Sequence, residues 1–139
     1  AHDRVARNLA RWMQHQAPVV QVLHPALEGA PGHVHWHALC GQAQDGQGAA
    51  AGLSSVVFDP AIPQARVDHF CDSLHLFRLG YSWGGPMSLV VPYDLASMRQ
   101  RPSTHVRPGH VVRFSIGLEA QADLRADLAQ ALRSAFAQR

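Results

Sequence analysis

The sequence predicts an α/β fold: an α+β two-layer sandwich, with a mostly antiparallel sheet of about four strands and helices on one face. Three observations carry this expectation. Short β-branched runs interleave with apolar stripes at helical spacing along all 139 residues, which is the pattern of one sheet under one helical layer. No internal repeat and no boundary divides the chain, so residues 1–139 are expected as a single domain. Its 47% apolar and 16% charged residues are enough to bury an ordinary globular core.

Residues 3–16 make the first helix, because Val5, Leu9, Trp12 and Met13 fall on one apolar stripe. Asp3 favours its dipole at the first turn and Pro18 stops its continuation. Residues 19–23 are a β-branched strand, ended by His24-Pro25 and Gly29-Ala30-Pro31-Gly32. Residues 33–40 fit a short helix or an irregular segment. Residues 41–50, rich in Gly, Gln and Ala, are expected as a surface loop. Residues 53–58 form a second strand, closed by Asp59-Pro60. Val67, Phe70, Cys71 and Leu74 stripe a helix between Pro63 and about His75. Residues 76–79 and 88–91 are strand candidates on either side of a Tyr81-Ser82-Trp83-Gly84-Gly85 turn. The 95–110 stretch, with Pro102 and Pro108, is a loop. Residues 111–116 alternate as a strand, and Leu124, Leu128, Leu132 and Phe136 mark a long closing helix.

A formal charge of +2 with dispersed basic residues gives no support to nucleic-acid or membrane-surface binding. No run of about eighteen apolar residues is present to span a bilayer. Cys40 and Cys71 are far apart and form no CxxC, so neither a disulfide framework nor a zinc site is expected, and a cytoplasmic location is. The chain opens Ala1-His2-Asp3 with no methionine and no basic-then-apolar leader, as a processed or truncated chain would. All 12 of its cationic Lys/Arg positions are arginine; it has no lysine.

Arg113 is the sharpest single residue. Alternation puts Val111, Arg113 and Ser115 on one face and Val112, Phe114 and Ile116 on the other, core-facing one. A guanidinium on a rigid strand suits a bidentate grip on a carboxylate; the plain alternative is a surface arginine paired with an acid. In Ser82-Trp83-Gly84-Gly85, two glycines allow backbone angles closed to other residues and close approach of a ligand. Trp83 then walls a pocket and Ser82 binds a polar substituent, or the turn is simply packed by an aromatic anchor. His33, His35 and His37 would share a face in a strand, as in some zinc sites, whereas a helix would scatter them; no metal site is expected. Cys71 belongs to a core stripe, and no Gly-x-Ser-x-Gly elbow supports serine hydrolysis.

Taken in order, several motifs resemble the C-terminal portion of the cysteine/methionine-metabolism family of pyridoxal-phosphate (PLP) enzymes. These are Val20-Gln21-Val22-Leu23-His24-Pro25-Ala26-Leu27, Pro31-Gly32-His33 with Trp36, Gly80-Tyr81-Ser82-Trp83-Gly84-Gly85 with Ser88-Leu89, and Arg113 to Glu119 with Asp123-Leu124 and Asp127-Leu128. Its cystathionine β-lyase branch is the nearest. The resemblance implies the C-terminal domain of a fold-type I enzyme, the substrate-binding domain of a longer protein that is inactive alone. It implies that Arg113 binds the α-carboxylate of an amino-acid thioether and that Ser82 and Trp83 line the same end of the pocket. It also implies a parent homotetramer of methionine biosynthesis, with PLP as cofactor. The tryptophan tilts the reaction towards β-elimination, from cystathionine to homocysteine, pyruvate and ammonia, because γ-acting members more often carry leucine there. No catalytic and no cofactor-binding residue is expected in this chain, since by the resemblance the Schiff-base lysine lies upstream of Ala1. Two departures stand out. Pro86-Met87 occupy the place where the family usually has a glutamate, and residues 38–52 fit the family poorly. A stand-alone ligand-binding or interaction module derived from such a domain is the alternative expectation. An isolated domain should self-associate through an apolar patch on the face that packs on the cofactor domain.

Overall fold

The computed structural model describes residues 1–42, 48–101 and 103–137. Its elements follow in the order α1 (His2–Met13), β1 (Val19–Leu23), α2 (His33–Cys40), β2 (Leu53–Phe58), α3 (Gln64–Asp72), β3 (Arg78–Leu79), β4 (Leu89–Tyr93), α4 (Leu95–Met98), β5 (His110–Ser115) and α5 (Gln121–Phe136). No helix among the described residues is long and apolar enough to cross a membrane. Residues 43–47 of the expected surface loop, and Pro102, lie outside the described residues.

The expected α/β class and helical layer are both present. The sheet differs in detail: it has five strands, in the order β1-β2-β5-β4-β3, and it is mixed. β1–β2, β2–β5 and β5–β4 pair antiparallel, whereas β3 runs parallel to β4. Residues 80–88 are therefore not a hairpin turn. A parallel neighbour requires the chain to travel back to the end of the sheet where it started, so this segment returns as a loop that is exposed from 81 to 87. A second difference is α4, a single helical turn inside the stretch expected to be loop. The Asp94 carboxylate starts it by accepting from the Ala96 and Ser97 amides.

The core lies between the sheet and α1, α3 and α5. Val5, Leu9 and Met13, Val67 and Phe70, and Leu124 and Leu128 are buried against Val56, Phe58, Val90, Val112 and Phe114. Phe70 stands at the centre, with ring centroids 5.3 Å from Phe58, 6.3 Å from Phe114 and 6.0 Å from Phe136. Cys71 belongs to this core; burial first, then Asp68 and Asp72, push its thiol up to about 12, so it stays a protonated, inert core group. The buried Asp127 of α5 ties the layers together by accepting from the His75 and Leu76 amides, whose own helix has just ended. α2, by contrast, buries none of its residues.

Candidate functional site

β5 runs through the middle of the sheet, with Arg113 opposite Ser55 of β2 and Val91 of β4. Neighbours on both sides fix its backbone, so the guanidinium leaves the sheet from a rigid base on the face away from the helical core. That face is less open than alternation alone implies, since Val111 and Ser115 are also buried. Arg113 Nη2 donates to the Tyr81 carbonyl at 2.6 Å and lies 3.4 Å from that of Ser82, and the guanidinium carbon sits 5.9 Å from the Tyr93 ring centroid. Nε is buried without an acceptor among the described residues. Among the described residues no acid pairs with Arg113. Its fork is held by backbone carbonyls and one ring, and it keeps donors that a planar anion would satisfy.

The loop that supplies those carbonyls contains every other residue of the expected pocket. Residues 81–87 are all exposed. Gly84 has φ 75°, a left-handed conformation that favours glycine and lets the chain reverse beside Trp83. Trp83 is 64% exposed, and its indole has neither a hydrogen-bond nor a ring partner among the described residues. It is therefore no packing anchor; its flat face stands free. Ser82 contributes its carbonyl to Arg113, and its hydroxyl makes no hydrogen bond among the described residues.

What holds this loop in place was not legible as a site in the sequence. Ser88 is fully buried; its amide and hydroxyl both donate to the Glu119 carboxylate, each at 2.8 Å, and its hydroxyl accepts from the Gly117 amide at 2.9 Å. Leu118 N donates to the Pro86 carbonyl at 2.8 Å. Gly117 leaves room for this: a Cβ there would meet the Pro86 carbonyl oxygen and lie 2.7 Å from the Met87 carbonyl carbon. Burial alone would raise the Glu119 pKa, but the Ser88 amide and hydroxyl outweigh it and hold the carboxyl below its ordinary value. Glu119 acts across 31 residues. Its signal, a glutamate just after a strand, is common to many loops.

The His33, His35 and His37 alternatives resolve as a helix. His33 and His37 share one face, with ring centroids 6.0 Å apart, and His33 Nδ1 lies 2.8 Å from the Pro25 carbonyl. No group of three or more metal-ligating side chains gathers among the described residues. This corner is instead built around Arg7, which pairs with Asp3, donates to the Gly48 carbonyl and stacks 5.3 Å from the Trp36 ring centroid.

Comparisons with known proteins bear on the family and the fold. Cystathionine beta-lyase of Salmonella typhimurium is 35% identical over 92% of this chain and 31% of its own length. An L-alanine/L-glutamate racemase of Wolbachia pipientis is 30% identical over 94% of this chain and 31% of its own length. A Campylobacter jejuni structure assigned as an O-acetylhomoserine (thiol)-lyase, carrying a pyridoxyl-lysine monophosphate, superposes with a TM-score of 0.70 at 24% identity, covering 96% of this chain and 28% of its own. It shows the shared fold. The chain thus spans about a third of the length of the curated relatives it matches. The family model for Cys/Met metabolism PLP-dependent enzymes matches residues 1–133, so this chain belongs to the Cys/Met metabolism PLP-dependent enzyme family.

Proposed function

We propose that residues 1–139 form the C-terminal, substrate-binding domain of a PLP-dependent carbon–sulfur lyase that cleaves cystathionine to homocysteine, pyruvate and ammonia. The single observation that carries this is Arg113: a strand-borne guanidinium with no acid partner among the described residues, under an exposed loop bearing an unpacked tryptophan. Similarity to cystathionine beta-lyase from Salmonella typhimurium supports the choice of reaction. Similarity to a racemase supports the shared grip more than the shared outcome, because a carboxylate clamp serves any amino-acid substrate.

The residues present fit the substrate and not the cofactor. PLP is held as a Schiff base on a lysine and supplies an electron sink for the substrate's α-carbon, but this chain has no lysine. No cofactor contact is therefore assigned to these residues. Their work is orientation. Arg113 pairs the substrate carboxylate through its unspent donors, and Trp83 lays an apolar wall beside it. Two fixed points on the substrate set which bond at the reacting carbon stands in line for cleavage, and positioning of this kind is worth orders of magnitude in rate. A cytoplasmic homotetramer as the parent assembly belongs to the same proposal.

The test is cystathionine cleavage by the protein that carries this chain. Losing a charge-assisted pair costs roughly 1.5–3 kcal/mol, so Arg113→Ala should raise KM on the order of 10- to 100-fold and lower kcat/KM at least as much. Unchanged kinetics in that variant would remove the clamp. Turnover of other amino acids with none of cystathionine would move the chain to a different member reaction.

A further inference from the structure

Three consecutive residues after β5 hold two residues just before β4. Gly117 and Glu119 engage Ser88, and Leu118 engages Pro86. The loop that starts at Gly80 is tied at its other end by the Gly80 amide, 3.3 Å from the Val90 carbonyl, and in the middle by Arg113 at Tyr81. Between these ties no side chain of residues 81–87 is buried. Packing therefore contributes little to the pose of the loop, and hydrogen bonds decide it. Ser88 has no freedom to compensate: its hydroxyl proton goes to Glu119, and the same oxygen already accepts from Gly117. Glu119 thus sets where the loop enters β4, and hence where the Tyr81 and Ser82 carbonyls stand over Arg113.

We infer that Glu119 is a positioning residue for substrate binding: its carboxylate fixes Ser88 and the 80–87 loop, so that the Tyr81 and Ser82 carbonyls hold Arg113 in the orientation that receives a carboxylate. The inference rests on the clamp role proposed for Arg113. It departs from pure structural support in one respect. A latch that served stability alone would cost folding when broken and leave the affinity of the folded protein for its substrate unchanged. A positioning latch weakens binding of the carboxylate while leaving the helical core in place.

Glu119→Gln keeps the shape and one acceptor while losing the charge and the second acceptor; Ser88→Ala removes the hydroxyl's bonds to Glu119 and Gly117 and leaves the backbone amide's bond to Glu119. Hydrogen exchange on this chain is the first readout. In both variants the latch amides at positions 88, 117 and 118, which are hydrogen-bonded in the intact protein, should exchange about tenfold faster or more, with Val112 and Phe114 of β5 unchanged, as a local opening rather than global unfolding. The second readout is kinetics of the protein that carries the chain, where Glu119→Gln should raise KM about tenfold and lower kcat/KM at least as much. Glu119→Asp, which restores the charge, should recover part of that loss. Unchanged exchange at positions 88, 117 and 118 overturns the latch. Faster exchange with an unchanged KM, while Arg113→Ala raises KM, overturns the positioning role and leaves the clamp standing. Unchanged KM in both Arg113→Ala and Glu119→Gln removes the clamp, and the positioning role with it.

Discussion

On one face of β5, Phe114 meets Phe70 at 6.3 Å and Phe77 at 5.5 Å, and Val112 is sealed among helices. On the other face, one residue away, Arg113 meets two carbonyls of a loop whose side chains all lie in solvent. The first face is held by area, which is non-directional and tolerant of small shifts. The second is held by a few hydrogen bonds, which are directional and fail one at a time. A strand built this way can lose its binding geometry without losing its fold, and it can lose both together only through the core.

The sharpest way to break that contrast is Phe70→Ala. Phe70 is fully buried and contacts three other phenylalanine rings, so truncation leaves a cavity at the junction of α3, α5 and the sheet. A loss of about 3–5 kcal/mol is expected, read as a lower denaturation midpoint with an unchanged slope. Arg113→Ala should cost far less stability while costing far more affinity. Equal stability losses in the two variants would mean that the faces are not built differently after all.

Acid separates another pair of regions. His24 at the α1 corner is buried, which with Arg7 and Arg11 holds its pKa below 6.5 against the pull of Asp3. Glu119 at the loop and Asp3 at the α1 corner are raised by burial, but hydrogen bonds more than offset this and hold them below 4.5 and 3.8. In all three cases the unfolded chain binds the proton more readily than the folded one, so stability rises with pH. Falling pH should therefore weaken the fold in two stages, first below about pH 6.5 through His24, then below about pH 4.5 through the carboxylates. Urea midpoints between pH 7.5 and 3 would show both stages, and Glu119→Gln should flatten only part of the lower one. A flat profile from pH 7 to 5 would be inconsistent with a neutral, buried His24.

The same division explains what the sequence could and could not reveal. Periodicity located α1, α3, α5, β1, β2 and β5, because burial on one side imposes a spacing that survives in the residue order. The Val112 and Phe114 face of β5 was legible for that reason, and with it the direction of Arg113. A strand at 76–79 was also expected, but the parallel pairing of β3 was not legible, since two residues carry no period and the loop after them has the composition of a turn. Nor was Glu119: its partner lies 31 residues back, and a contact set by topology leaves no local pattern. Ser82 and Trp83 were legible as types that suit a pocket, and the structure adds that neither is spent on packing.

Trp83 makes the smallest and most diagnostic prediction. An exposed tryptophan with no partner among the described residues contributes nothing that its removal would take from the fold, so Trp83→Ala should change stability by less than about 0.5 kcal/mol. If its exposed face is a wall for substrate, the same variant should still raise KM in the protein that carries this chain. Tryptophan fluorescence would add a direct view, because an indole in solvent emits at long wavelength and shifts to shorter wavelength when a ligand covers it. A stability loss approaching that of Phe70→Ala would show that Trp83 is packed after all, and the loop would then belong to the core side of the comparison. Near-neutral stability with raised KM would place it on the binding side, where hydrogen bonds hold the frame and the aromatic side chain is kept free for the ligand.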